Sequence, residues 1–316
     1  MALPGGQDAH GEGPDSGCAP FSARRSGKSL CSGFTDSQVE EQDWEHMIQI
    51  QELRFRYGKE GPWVLDGVEL EIPSGQFSLL LGKNGSGKST LAELLAGLIS
   101  PSSGHVRVDG LDSREHPAHL TGKVGVVFQN PEHQFFHDTV AEDVAFGPEN
   151  LGLSPTQVRQ RVARVLSEVG IEELAEHSPQ QLSGGQKQLV AIAGILAMEP
   201  AYLILDEPTA MLDPPSKRRV RSLVRRLHET RGCAVLWITQ DMEELRLASR
   251  ALVLKEGRIS LDGTPEKLLE SQELLFQIGL EPPLSIELER FLRDRGMEEE
   301  ARFVRRRAVE FLGLGD

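Results

Sequence analysis

The chain has 316 residues, 39% of them apolar, and a formal net charge of −14, which allows one large or two modest cores without disulfide or metal staples and argues against general attraction to nucleic acid or anionic lipid. Cys18, Cys31 and Cys233 are too few and too scattered for a disulfide framework or a zinc site, and fit a reducing cytoplasm. No run approaches the roughly 18 apolar residues of a membrane-spanning helix, and the N-terminus lacks the basic-then-apolar order of a signal peptide, so any membrane span is expected from a partner.

Residues 1–45 are rich in Gly, Ser, Pro, Asp and Glu with little periodicity and read as a disordered extension. Gly27-Lys28-Ser29 within it mimics part of a phosphate loop, but no glycine stands five places earlier and no apolar strand leads in. Alternation over Ile48 to Tyr57 and over Val64 to Ile72 predicts an antiparallel pair joined around Gly58 to Pro62. Tyr57, just before that turn, carries a ring that can stack on a base, although spacing alone favours plain packing.

The stretch FSLLLGKNGSGKSTLAELLAGL, Phe77 to Leu98, organises the chain. An apolar strand runs into Gly82-Lys83-Asn84-Gly85-Ser86-Gly87-Lys88-Ser89-Thr90, after which Leu91, Leu94, Leu95 and Leu98 recur at helical spacing. The loop fits G-x-x-x-x-G-K-[ST], whose glycines let backbone N–H groups face a phosphate chain at a helix N-terminus. Lys88 is expected to neutralise the β- and γ-phosphates, and Ser89 to place its hydroxyl on Mg²⁺. A nucleoside triphosphate site is therefore the expectation.

Val106 and Val108 before Asp109-Gly110 predict a short hairpin, and the apolar run from Val124 to Phe128 predicts a buried strand ending on Gln129. An amide at a strand's carboxyl end can reach a metal-bound water or a phosphate, and a polar loop start explains it as well. His133 and His137 stand four apart without a third ligand and read as solvated surface. Pro155 to Val169 predicts a helix with a buried valine and leucine stripe, capped by Ser154 or Thr156.

Leu182-Ser183-Gly184-Gly185-Gln186 then opens another helix, where Ser183 and the glycines form either a second phosphate receiver or simply a capping turn. The buried strand Tyr202 to Leu205 closes on Asp206-Glu207, adjacent carboxylates that are costly in a closed core and natural beside Mg²⁺ and an attacking water. Asp206 is read as the metal group and Glu207 as general base. A helix after Asp213-Pro214, a strand from Ala234 to Ile238 and a late hairpin through Glu256-Gly257 complete a parallel-sheet α/β core with an antiparallel flank. The last fifty residues read as a helical appendage, with stripes (Leu284, Leu288, Phe291, Leu292, then Met297, Ala301, Val304, Ala308, Phe311, Leu312) expected to pack on the core or on a partner. Arg302, Arg305, Arg306 and Arg307 are most simply a solvated face, ahead of an anionic-lipid contact.

The Leu182 to Gln186 motif, lying between the glycine loop and LILDEPTAMLD, resembles the signature of ABC transporter nucleotide-binding subunits, with the likeness covering roughly Ile48 to Gly263. FQNPEHQFFHDTVAEDVAFGPENLGLS and the helical tail further resemble the ATPase component of energy-coupling factor (ECF) type importers of vitamins, cobalt or nickel. The resemblance implies a P-loop NTPase fold divided into an ATPase domain over 46–265, a helical subdomain over about 130–195 and an appendage over 266–316. It implies MgATP sandwiched between two subunits arranged head to tail. Tyr57 then matches the base-stacking aromatic, Gln129 the residue sensing Mg²⁺ and the membrane partner, Ser183, Gly184, Gly185 and Gln186 the signature, and Leu212 and Asp213 the interface loop. It also implies an integral membrane coupling subunit touched by Asn130 to Phe136, a substrate-binding membrane subunit, no nucleic acid, and a place at the cytoplasmic face of the membrane.

Gln240 departs from the family pattern, which places a switch histidine there. An amide still donates a hydrogen bond but carries no titratable proton, so slow hydrolysis at this chain's glycine loop is expected. The rival readings are an ATPase subunit of another ABC transporter class, a regulatory nucleotide-binding module without useful catalysis, and a soluble ATP switch of the same family that binds nucleic acid or a ribosome and transports nothing. Intact Lys88, Asp206 and Glu207 oppose the module, and the acidic charge and single cassette weigh against the switch.

Overall fold

The computed structural model describes residues 46–280 and 284–311. The expected extension over residues 1–45, with Gly27-Lys28-Ser29, lies outside the described residues. The first described strands, β1 (Met47–Phe55) and β2 (Leu65–Pro73), pair antiparallel, with Ile50 opposite Leu70 and Val68, Leu70 and Ile72 buried on one face. Then come β3 (Phe77–Leu81), wholly buried, and α1 (Lys88–Leu95). β4 (Ser103–Val108) turns tightly at Asp109-Gly110, both with positive φ, into β5 (Leu111–Asp112), as the Asp-Gly pair predicts. These flanking strands form one sheet in the order β2-β1-β4-β5.

A short helix α2 (Pro117–Leu120) leads to β6 (Val124–Val127), after which α3 (Val140–Asn150), α4 (Pro155–Val169) and α5 (Gly184–Leu196) form the helical region. Ser154, rather than Thr156, caps α4: its hydroxyl accepts the Gln157 N–H, and Gln157 Oε1 accepts the Ser154 N–H at 3.0 Å. Then follow β7 (Tyr202–Asp206), α6 (Pro214–Arg231), β8 (Ala234–Thr239), β9 (Arg250–Lys255) and β10 (Arg258–Gly263). The second sheet runs β10-β9-β3-β8-β7-β6, parallel except for the β9–β10 hairpin.

Register decides where chemistry can occur. Leu81 lies opposite Thr239, Asp206 opposite Ile238, and Val127 opposite Leu205. Four parallel strands therefore end at one edge, and their next residues, Gly82, Phe128-Gln129, Glu207 and Gln240, leave the sheet side by side, at the carboxyl ends where α/β sheets hold ligands. One apolar core joins α1 to both sheets through Leu91, Leu94, Leu80 and Ile238; another, on the opposite face, gathers α3 to α6 around Trp237.

The chain ends in α7 (Pro265–Glu270), α8 (Gln272–Gln277), α9 (Leu284–Arg293) and α10 (Glu298–Phe311). Leu268, Leu269, Leu275, Ile278 and Ile286 belong to the helix-side core. Beyond them much of the stripe is left uncovered within this chain. Leu284, Leu288, Phe291 and Met297 are exposed, and among the described residues only Ile286 of α9 and Ala301 of α10 are buried apolar positions. Arg305 is not simply solvated either, for it pairs with Glu270 and with the buried Glu289, both at 3.4 Å. A stripe read at helical spacing locates an apolar face, but not what covers it. The side chains of Ala308, Phe311 and Leu312 lie outside the described residues.

Candidate functional site

The glycine loop is shaped by close approach. A Cβ on Gly82 would stand 2.3 Å from the Leu254 carbonyl, and one on Gly87, whose φ is 104°, would stand 2.7 Å from Leu65 Cδ2. Gly87 starts α1 without any side-chain cap, so the first N–H groups of this helix face outward for an anion. Lys88 folds back into the loop and donates to the carbonyls of Gly82 (2.8 Å) and Lys83 (3.1 Å). Burial lowers its pKa, against the opposing pull of Glu207 and Asp206. A cation bound only to carbonyls, and short of water, is poised for a phosphate oxygen.

Asp206 ends β7 with 4% exposure, and its Oδ1 has no hydrogen-bond donor. Burial raises its pKa, the Ser89 hydroxyl hydrogen bond lowers it, and repulsion from Glu207 raises it again. An orphaned buried carboxylate oxygen beside a hydroxyl suits a hard, oxygen-seeking cation such as Mg²⁺. Glu207 follows with a left-handed φ of 47°, a strain that a surrounding scaffold must impose. Its N–H donates to the Ile238 carbonyl at 2.9 Å, which ties the turn to β8.

Two amides hold the Glu207 carboxylate. Gln129 Nε2 donates to Oε2 at 3.1 Å, and Gln240 Nε2 donates to Oε1 at 2.7 Å and to Asn84 Oδ1 at 2.7 Å. Gln129 thus reaches the centre rather than merely starting a loop. Gln240 bridges the glycine loop to the carboxylate. Lys88, Ser89, Asp206, Glu207, Gln129, Gln240 and Asn84 consequently form one constellation.

Tyr57 stands 59% exposed, with its ring edge-on to Phe55 at 4.9 Å and its hydroxyl 3.1 Å from Thr90 Oγ1. It is anchored to the start of α1 and its ring is open, so plain core packing does not describe it. Ser183 accepts the Gln186 N–H at 3.3 Å while Gln186 Oε1 accepts the Ser183 N–H at 2.9 Å, so within one chain this motif is a capping box. A Cβ on Gly185 would stand 2.4 Å from Ser216 Oγ, so α5 starts tightly against α6. Among the described residues no hydrogen bond joins this motif to the Glu207 constellation; its own bonds close the cap. Asp213 caps α6 by accepting the Ser216 N–H, and its carboxyl is held below its ordinary value by the Ser216 hydroxyl.

Asn130 caps the short 3-10 turn Pro131–Gln134, and Glu132 within it pairs with Lys187 on α5. His133 and His137 turn to separate partners, Asn130 at 3.3 Å and Asp143 at 3.2 Å. Sequence reasoning passed over Glu244. It reads like any other acid in a polar helix, yet it is fully buried behind Glu207, bonded to Thr209, Arg221 and Trp237.

A sequence profile described as ABC transporter matches residues 65–210. An energy-coupling factor transporter ATP-binding protein of Symbiobacterium thermophilum is 49% identical over 79% of this chain and 90% of its own length. The cobalt import ATP-binding protein CbiO of Syntrophus aciditrophicus is 46% identical, over 79% of this chain and 90% of that protein. Among solved structures, cbiO1 of Clostridium perfringens, described as part of the ABC transporter complex cbiONQ, superposes with a TM-score of 0.66 and 36% identity over 77% of this chain and 98% of that one. A dimeric ATP-binding cassette in a post-hydrolysis state with ADP and Pi gives 0.62 and 30% over 69% and 98%.

Proposed function

The chain belongs to the family of ATP-binding subunits of energy-coupling factor type ABC transporters, and from that premise we propose how its site works and whom it meets. It is an ATP-hydrolysing subunit that energises import of a metal ion or vitamin through separate membrane proteins. The observation that carries the mechanism is the Glu207 carboxylate, held between two amides beside Lys88 and Asp206.

ATP lies with its phosphates along Gly82 to Thr90 and its base on the open Tyr57 ring. Lys88 exchanges its carbonyl partners for β- and γ-phosphate oxygens, while Ser89, Asp206 and Gln129 hold the position of Mg²⁺. The metal supplies charge compensation on the γ-phosphate when bound. Gln129 and Gln240 fix the Glu207 carboxylate so that one oxygen accepts the proton of a water in line with the γ-phosphate. Gln240 replaces a titratable group with a plain donor, so turnover is slow. The second subunit brings Ser183 to Gln186 head to tail over these phosphates, with Leu212 and Asp213 at the crossing.

The membrane coupling subunit docks on the Asn130 to Phe136 segment. The exposed Phe136 ring next to Phe146, 5.9 Å away, supports this, as does a groove of about 690 Å³ between α3 and α4 floored by Ala141, Ala145, Val158 and Val162. The Glu132–Lys187 pair joins that segment to the signature helix. Among the described residues no helix is long and apolar enough to cross a membrane, which agrees with a peripheral place at the cytoplasmic face, beside a substrate-binding membrane subunit. The working division is the ATPase domain at 46–265 and the appendage at 266–316.

Glu207→Gln keeps MgATP bound while hydrolysis falls at least about 100-fold, the scale of losing a general base. Steady-state phosphate release and nucleotide retention on a filter measure the two quantities. Unaltered hydrolysis would overturn the assignment.

A further inference from the structure

Behind the reacting groups lies a carboxylate that takes no part in the proposed chemistry. Glu244 is 0% exposed and belongs to the 3-10 segment Met242–Leu247 after the Gln240 turn. Its Oε1 accepts from Thr209 Oγ1 at 2.6 Å and from Arg221 Nε at 3.0 Å, and its Oε2 accepts from Trp237 Nε1 at 2.6 Å. Each donor belongs to a different element. Thr209 stands two residues past Glu207, Trp237 lies in β8 three residues before Gln240, and Arg221 lies in α6.

Arg221 extends the link, donating through Nη2 to Asp241 Oδ2 at 2.7 Å. Asp241 also accepts the Glu243 N–H at 2.9 Å, and its own N–H donates to Thr239 Oγ1 at 3.0 Å. The turn that presents Gln240 is therefore held from both sides. On the other strand, Ala210 N–H donates to the Glu207 carbonyl at 3.1 Å and Leu212 N–H to the Thr209 carbonyl at 3.2 Å. Thr209 thus sits inside the turn that presents Glu207 and begins the loop to Asp213.

We propose that Glu244 is a positioning residue for hydrolysis: it clamps the Glu207 turn to the Gln240 turn and so sets the amide-to-carboxylate contact between them. The inference rests on the roles assigned above to Glu207 and Gln240. A buried carboxylate with charge-assisted bonds is stiff, and removal of any donor leaves polar atoms unpaired in a closed site. The clamp touches neither the glycine loop nor Tyr57, so it acts on turnover and not on nucleotide affinity.

The test uses Thr209→Val, which keeps shape and removes one bond, with Glu244→Gln beside it. In the full chain with its partners, Thr209→Val lowers kcat about tenfold with KM for ATP near the parent value, while Tm falls by a few degrees because one bond to a buried carboxylate is lost. A double-mutant cycle with Gln240→Ala gives the readout a general structural role would not move. If the clamp works through Gln240, Thr209→Val adds less than about twofold in the Gln240→Ala background. Multiplicative losses in the cycle, or an unchanged kcat in a folded Thr209→Val protein, overturn the positioning role alone. An unchanged kcat in Gln240→Ala by itself removes the reading of Gln240, and the clamp's purpose with it. Should Glu244→Gln fail to fold, the Thr209 cycle still decides.

Discussion

Two helices of this chain begin on glycine-rich loops with serines, and they begin differently. α1 starts at Gly87 with no side-chain cap, and its lysine is parked on two loop carbonyls. α5 starts at Ser183 with a complete capping box, the serine hydroxyl and Gln186 amide satisfying each other's backbone. The first loop is organised for a phosphate before any phosphate arrives. The second is satisfied within its own subunit. Under the head-to-tail assembly proposed above, it would exchange those bonds on meeting the partner's nucleotide, so that nucleotide capture would belong to one chain and the capped motif would supply a step that only assembly completes.

Ser183→Ala tests that division most severely. Losing the cap lowers stability by about 1 kcal/mol, and losing the hydroxyl toward the partner's γ-phosphate lowers turnover of the assembled complex about tenfold. Affinity of the isolated subunit for ATP stays at the parent value, since α1 and its loop are untouched. Equilibrium binding on the monomer and turnover on the complex separate these quantities. A parallel loss of monomer affinity would mean that the two loops are not divided in this way.

Gln240→His sharpens the uncapped side. The amide now spends one nitrogen on both Asn84 and Glu207, whereas an imidazole can donate to the carboxylate and exchange a proton near neutral pH. Turnover rises about threefold, within the modest range of an added proton-exchanging group, while ATP affinity is unchanged. A flat or reduced rate shows that the glutamine does not limit this site.

Much of this was legible from spacing. The glycine loop, the four buried strands and the carboxylate pair announce themselves because apolar runs with abrupt polar ends have few foldings. Gln129 and Ser183 each carried two open readings, and only register could bring Gln129 to Glu207 or show Ser183 capping its own helix. Glu244 gave no signal, because in MEELRL it resembles its exposed neighbour Glu243 and its donors come from positions 209, 221 and 237. The tail is limited for the opposite reason: Leu288 and Phe291 have the right period for a stripe that packs on the core or a partner, and they stand exposed in this chain, but what covers such a stripe depends on what lies opposite, which no local pattern records.

The smallest expected effect concerns the cost of keeping the uncapped side ready. Asp206 is buried, faces Glu207, and has one oxygen without a donor, so in the free protein its negative charge opposes folding. Its pKa is raised above 3.8 by burial first and, after the opposing Ser89 bond, by Glu207. The folded chain then binds that proton more tightly than the unfolded chain. Stability from this group is full below the ordinary carboxylate range and falls as pH rises through the raised value. Asp206→Asn removes the charge, and at neutral pH the nucleotide-free, metal-free protein gains about 2 °C in Tm, the scale of a fraction of a kcal/mol to one kcal/mol in a domain this large. MgADP then raises the Tm of the parent more than that of the variant, because the oxygen it would have used is gone. A lower Tm in the free variant would place Asp206 among the groups that hold the fold together, and readiness for the nucleotide would carry no cost at that position.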